Sequence, residues 1–240
     1  MSAPATAPGP VPGSGNATPA PRRSLRLAHR GDWRVAPENT LAALEAAMRV
    51  PGCDGVEFDV RLSRDGIPVV LHDETLDRVQ HVHARVDRVD AVGLDHLEVP
   101  RLAEVLAALP GAWMDIELKG DDHGDATAAV LRAARGDAPA SAVISSFEPP
   151  TLVAMGERLP AWGRWLNAED LAPATLSLAV GLGCRGVSVL WGAITPAALG
   201  RAHAAGLEVA AWTVRRVATF DRLGRLGVVG CCVEAAALDG

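Results

Sequence analysis

From residue 25 onward the chain alternates short apolar runs with amphipathic stretches, the pattern of βα units around a parallel sheet. Runs at 25–28, 56–60, 68–71, 113–118, 142–146, 165–166, 187–190, 209–214 and 228–233 read as strands. Leu41, Leu44, Ala47 and Met48 fall on one helical face, with Asn39 or Thr40 as the cap and Pro51-Gly52 as the stop. Another helix is predicted over 102–109. Pro149-Pro150 and Thr195-Pro196 place proline in the first turn of two more, and Gly206 suits a helix C-terminus. Residues 74–100 form a polar stretch.

Nine strand-like runs exceed by one the eight slots of a (β/α)8 TIM barrel. The surplus falls in the pair 55–60 and 67–71, because Arg61 to Gly66 is too short for a helical crossover. A hairpin descending from the mouth would leave His72 about 15 Å below Asp59, at ~3.3 Å per residue. An irregular or extended return that brings His72 to the same rim is therefore expected. The expectation is a small α/β barrel forming one domain over residues 24–240. Residues 1–23, rich in Pro, Ala, Gly and Ser, carry too little apolar surface to offset the entropy of ordering and are expected to be a disordered extension.

With 49% hydrophobic residues in 240, there is material for one sizeable core. The net charge of −6 does not favour nucleic acid or an anionic membrane surface, so an anionic substrate would need locally placed cations. No run approaches the roughly 18–20 apolar residues of a membrane span, and the first residues lack the basic and apolar segments of an export signal. Cys53, Cys184, Cys231 and Cys232 show no C-x-x-C spacing and read as reduced, mostly buried side chains of a cytoplasmic protein. Among 23 basic residues the only lysine is Lys119. In so arginine-rich a chain, that position calls for a compact point charge rather than a planar fork.

Strand alternation sends Glu57 and Asp59 to one face, with Val56, Phe58 and Val60 on the other. It likewise groups Asp115, Glu117 and Lys119 against Met114, Ile116 and Leu118. In a βα architecture both strand faces are buried, so an acidic face must look into the barrel and be compensated there. Three carboxylates converging at about 4 Å would repel by several kcal/mol per pair, and a divalent cation removes that repulsion. All-oxygen ligation by Glu57, Asp59 and Glu117 suits Mg²⁺ or Ca²⁺, not zinc. His29 and His72 end two strands near these acids and can divide proton removal and proton donation between them.

In order along the chain stand His29-Arg30-Gly31, Glu38-Asn39-Thr40, Glu57-x-Asp59, His72-Asp73 and Glu117-x-Lys119. This ordered set, over roughly residues 25–220, resembles the glycerophosphodiester phosphodiesterase family, barrel enzymes related to phosphoinositide-cleaving phospholipases. The resemblance implies metal-dependent hydrolysis of a small-molecule glycerophosphodiester to glycerol 3-phosphate and an alcohol. His29 and His72 would be the acid/base pair in either order, Glu57, Asp59 and Glu117 the metal ligands, and Arg30 and Lys119 the holders of the phosphate oxygens. Glu38 would lie near the site. Trp212, in Trp212-Thr213-Val214, would wall the glycerol or alcohol moiety. Phe147 and Trp191 read as core packing. His81 and His83 read as exposed, and His123 has no assigned part.

Two positions depart from the family pattern: Arg215 stands for an Asn, and Val233-Glu234 for Thr-Asp. They leave the catalytic set intact and bear on the substrate, since Arg215 adds a positive charge that would favour a more anionic leaving group. The competing readings are a lysophospholipase D activity on the same scaffold, or a non-catalytic phosphodiester-binding protein with a degenerate last strand.

Overall fold

The computed structural model describes residues 23–120 and 122–240, so the expected extension over 1–23 lies, but for Arg23, outside the described residues. The strands are β1 (Leu25–His29), β2 (Gly55–Leu62), β3 (Pro68–Val70), β4 (Trp113–Leu118), β5 (Ala142–Ser146), β6 (Gly163–Ala168), β7 (Gly186–Leu190), β8 (Glu208–Val214) and β9 (Gly230–Val233). The helices are α1 (Leu41–Ala47), α2 (Ala91–Asp95), α3 (Leu102–Ala108), α4 (Asp125–Arg135), α5 (Pro149–Arg158), α6 (Pro173–Gly181), α7 (Pro196–Ala204), α8 (Val217–Leu226) and α9 (Ala236–Asp239). All strands but β3 are parallel neighbours in the order β1-β9-β8-β7-β6-β5-β4-β2, and pairing of β2 with β1 closes the ring. This is the (β/α)8 barrel.

The alternation read from the sequence is realised. Val56, Phe58, Val60, Met114, Ile116 and Leu118 point outward and are fully buried beneath the helices, each contributing about 1.5–3 kcal/mol. Inside the barrel, Val143, Trp165 and Ala210 form a small apolar plug with Trp113, whose ring stacks on Trp165 at 5.5 Å. Above that plug the interior turns polar, at the level of the carboxylates.

The surplus strand is a regular hairpin, and it lies above the rim instead of descending from it. β2 runs on past Asp59 through Leu62, and β3 pairs antiparallel with that overhang at Val60↔Val70 and Leu62↔Pro68. The return therefore starts high and arrives at the mouth, where the Leu71 amide donates to the Asp59 carbonyl at 2.9 Å and His72 follows. The 15 Å problem disappears because β2 is longer than its apolar run. The polar stretch beyond folds over its own small core of Val69, Leu71, Leu76, Val86, Leu94 and Val99.

Local geometry explains two motif residues. Arg30 and Gly31 both have positive φ, at 59° and 86°. A Cβ on Gly31 would lie 2.6 Å from the Ala43 carbonyl carbon, so this turn packs against α1 only with glycine. Thr40 is the α1 cap, its Oγ1 accepting from the Ala43 amide. Asn39, with φ 59°, is released for another task.

Candidate active site

Register places the acids together. His29 pairs with Glu57 across β1 and β2, Glu57 with Asp115, and Asp59 with Glu117 across β2 and β4. Glu57, Asp59 and Glu117 are buried, and each offers an oxygen within 4.8 Å of the others. Two cations reach in: Arg30 Nε lies 3.1 Å from Asp59 Oδ2, and Lys119 Nζ lies 3.2 Å from Asp59 Oδ1 and 2.5 Å from Glu117 Oε1. Asn39 Nδ2 donates to Asp59 Oδ2 at 2.9 Å.

These neighbours split the carboxylates electrostatically. Burial pushes Glu57 well above the usual carboxylate range, with Asp59 and Glu117 adding to the shift. Burial and Asp59 raise Glu117 as well, against the pull of Lys119. Asp59 goes the other way: burial alone would raise it, but Lys119 and Arg30 outweigh that and hold it down at about 2. The same acids keep Lys119 charged, overcoming the burial that would lower it. Glu57 Oε1 and Asp59 Oδ1 are buried oxygens without a hydrogen bond among the described residues.

Both histidines are oriented by carboxylates. His72 Nδ1 lies 2.7 Å from Asp73 Oδ1, and Asp73 is held at about 2 by the hydrogen bond from Arg78 and by His72. An ionised carboxylate only accepts, so Nδ1 carries the proton and Nε2 is left free. Burial lowers His72 below its ordinary value, outweighing the opposing pull of Asp59. His29 Nδ1 lies 2.5 Å from Glu234 Oε1, and its Nε2 is 3.7 Å from Glu57 Oε2. Glu234 is kept low, against burial, by His29 and by Arg215, whose Nε donates to Oε2 at 2.7 Å.

His29, Arg30, Glu57, His72, Glu117 and Lys119 border one cavity of about 210 Å³ at the C-terminal mouth of the barrel, walled by Phe147 and Trp212. The two rings meet edge to face at 5.7 Å, and Lys119 Nζ sits 5.7 Å from the Phe147 ring centre. The sequence model of the Glycerophosphoryl diester phosphodiesterase family matches residues 29–237. The chain belongs to that family.

A glycerophosphodiester phosphodiesterase of Caldanaerobacter subterraneus is 55% identical over 56 residues, 23% of this chain and 23% of the relative. The Mycobacterium tuberculosis protein named "Probable glycerophosphodiester phosphodiesterase 1" is 30% identical over 195 residues, 80% of this chain. The chain spans 60% of the length of that relative. Among solved structures, an Oleispira antarctica phosphodiesterase in complex with the product sn-glycerol-3-phosphate superposes with a TM-score of 0.78 at 26% identity, covering 88% of this chain and 93% of its own.

The eight residues expected from the family motifs, His29, Arg30, Glu57, Asp59, His72, Glu117, Lys119 and Trp212, do meet at this mouth. Four other members went unread. Asp115 faces the cavity with its carboxyl pushed by burial up to about 7, against the hydrogen bond from Ser145, and it was visible as the third member of the β4 acidic face. Asn39 and Glu234 bond to Asp59 and His29 across separations of 20 and 205 residues. Asn167 lines the cavity with a buried Oδ1 that has no hydrogen bond among the described residues.

Other expectations need correction. Phe147 and Trp191 are exposed at strand ends, not core. Glu38 does lie beside the site, bonded by Arg30 and Arg78. Buried His123, earlier given no part, spans the Lys119 carbonyl and Thr127 Oγ1, each at 3.1 Å. The change to Glu234 is not outside the set, because Glu234 holds His29.

Proposed function

We propose that this protein hydrolyses small glycerophosphodiesters to glycerol 3-phosphate and an alcohol, with His29 and His72 as the proton-transfer pair. The observation that carries the reading is that both imidazoles, each oriented by its own carboxylate, open onto one cavity that also holds Arg30, Lys119, Glu57 and Glu117, with Asp59 clustered beside those two acids. His72, uncharged with Nε2 free, takes the proton of the attacking hydroxyl, from water or from the neighbouring glycerol hydroxyl by way of a cyclic diester. His29 returns a proton to the leaving alkoxide oxygen. Arg30 and Lys119 hold the non-bridging phosphate oxygens. Trp212 and Phe147 pack the glycerol carbons, and Asn167 Oδ1, which has no hydrogen bond among the described residues, accepts from a glycerol hydroxyl.

Glu57, Asp59 and Glu117 fit a hard divalent cation, Mg²⁺ or Ca²⁺. The donors are all oxygen, and among the described residues Glu57 Oε1 is buried without a hydrogen bond while Asp59 Oδ1 meets only the Lys119 ammonium as an ion pair. Formally, three carboxylates against Arg30 and Lys119 leave one negative charge, which would repel a phosphodiester monoanion. A dication makes the pocket singly positive and matched to that substrate. When bound it supplies charge stabilisation to the phosphoryl oxygens. The four cysteines are free thiols, in keeping with the reducing cytoplasm as the proposed location.

A second reading, lysophospholipase D, draws on the exposed Trp33, Phe147 and Trp191 around the mouth. The small, charge-lined cavity favours deacylated substrates instead. Release of glycerol 3-phosphate from a panel of glycerophosphodiesters and lysophospholipids, with Mg²⁺, Ca²⁺ or chelator, tests both. Turnover of the deacylated diesters that is lost in His29→Ala and in His72→Ala, with unchanged melting temperature, is expected. Full activity in chelator, or wild-type rates in either variant, would refute the scheme.

A further inference from the structure

Beside the catalytic cavity lies a second groove, of about 420 Å³, that shares His29, Arg30 and Thr213 with it. Its own walls come from Trp33, Glu38, Arg215 and Glu234. His29 thus stands at the junction, with the acids and Lys119 on one side and this groove on the other. We propose that the groove receives the alcohol half of the diester and selects alcohols that carry an anionic group. The inference rests on the hydrolase reading above and adds the substrate class to it.

Three observations support the assignment. First, the acids lining the groove are already paired. Glu38 receives hydrogen bonds from Arg30 at 2.9 Å and from Arg78 at 2.7 and 2.9 Å, and Glu234 receives His29 and Arg215. Second, Arg215 is only partly used. Its Nε binds Glu234, its side chain is 68% exposed, and its two terminal nitrogens make no hydrogen bond or ion pair among the described residues. A guanidinium fixed at Nε presents the rest of its planar fork to an oxyanion, the geometry that phosphate and carboxylate groups pair with in bidentate fashion. Third, Trp33 is 48% exposed on the same groove and offers an apolar face to the carbon skeleton linking that anion to the scissile oxygen. A cationic alcohol such as choline would meet the exposed end of a guanidinium there.

The test compares kcat/KM for three diesters: bis(glycerophospho)glycerol, whose leaving alcohol carries a second phosphate; glycerophosphoglycerol, whose alcohol is neutral; and glycerophosphocholine. The wild type is expected to prefer them in that order. In Arg215→Asn the anionic-to-neutral ratio should fall about tenfold, the loss of one charged hydrogen-bond pair. Arg215→Lys should retain part of the preference, and salt should erode it in the wild type. Using the ratio cancels any general loss from disturbing Glu234 and His29, and melting curves verify folding. An unchanged ratio in Arg215→Asn, or a wild-type preference for choline, would overturn the subsite while leaving the hydrolase standing. A wild type that cleaves none of the three would overturn the hydrolase and the subsite with it.

Discussion

Removing the proposed divalent cation should destabilise this fold measurably, and the carboxylate cluster sets the scale. With oxygens within 4.8 Å of one another, each pair of ionised carboxylates repels by about 3 kcal/mol at an effective dielectric near 20. Lys119 and Arg30 are shared mainly with Asp59 and Glu117, so Glu57 is the least compensated, and its carboxyl is raised furthest. In the metal-free protein this shift favours the protonated form of Glu57, and ion binding must work against it. At a hundredfold excess over its dissociation constant, a bound ion adds about 2.7 kcal/mol. For a domain of this size that is a rise in melting temperature of about 5–11 °C.

The assay is a thermal melt in chelator against Mg²⁺ or Ca²⁺, paired with calorimetric titration in two buffers of different ionisation enthalpy. Proton release on ion binding is expected, and it should diminish in more alkaline buffer. Glu57→Gln should reverse the ranking. Without the ion the variant melts at or above the wild type, because a buried carboxyl whose ionisation opposes folding is gone. With the ion present the wild type leads, because a ligand has been lost. Equal melting of the wild type in chelator and in either ion, or an undiminished shift in Glu57→Gln, would refute the ligand assignment.

Two further outcomes follow from single residues. Lys119→Arg keeps the charge but replaces a compact ammonium held 3.2 Å from Asp59 and 2.5 Å from Glu117, so kcat/KM should drop at least about tenfold at equal melting temperature; wild-type kinetics would make the lone lysine an accident of composition. Buried His123 is depressed below 6.5 by burial, so as the pH falls through that value the unfolded chain takes up a proton that the folded chain resists. Its contribution is intact above about pH 6.5 and declines toward acid, so unfolding free energies of His123→Gln should fall less steeply than wild type between about pH 7 and about pH 5, and parallel slopes would contradict it.

What was legible in the sequence had short-range periodicity behind it. The (β/α)8 order, the inward acids of β2 and β4, and the Thr40 cap each follow from a period of two, a period of 3.6 or a single turn. The path to His72 was not legible, because it depends on how far β2 continues beyond its apolar run. Arg61 is half-buried, and its Nε caps the His72 carbonyl at 2.7 Å, a contact with no trace in hydrophobic patterning. Helix α6 was passed over because it is apolar nearly all round and carries almost no periodic signal, whereas α4 and α8 are amphipathic and could have been read.

The two departures from the family pattern were read as separate oddities, and the fold makes them one contact. Val214 pairs with Val233 across β8 and β9, and the Glu234 amide donates to the Val214 carbonyl at 2.9 Å. The residues just past those strand ends, Arg215 and Glu234, are therefore neighbours although 19 positions apart. Glu234 is 6% exposed, and one of its oxygens is taken by His29. The other would be a poorly solvated, unpaired anionic oxygen, a situation costing about 1–3 kcal/mol, unless a cation met it. Arg215 meets it. A longer acid just past β9 and an arginine just past β8 thus depend on each other, and together they hold the imidazole at the junction of the two grooves.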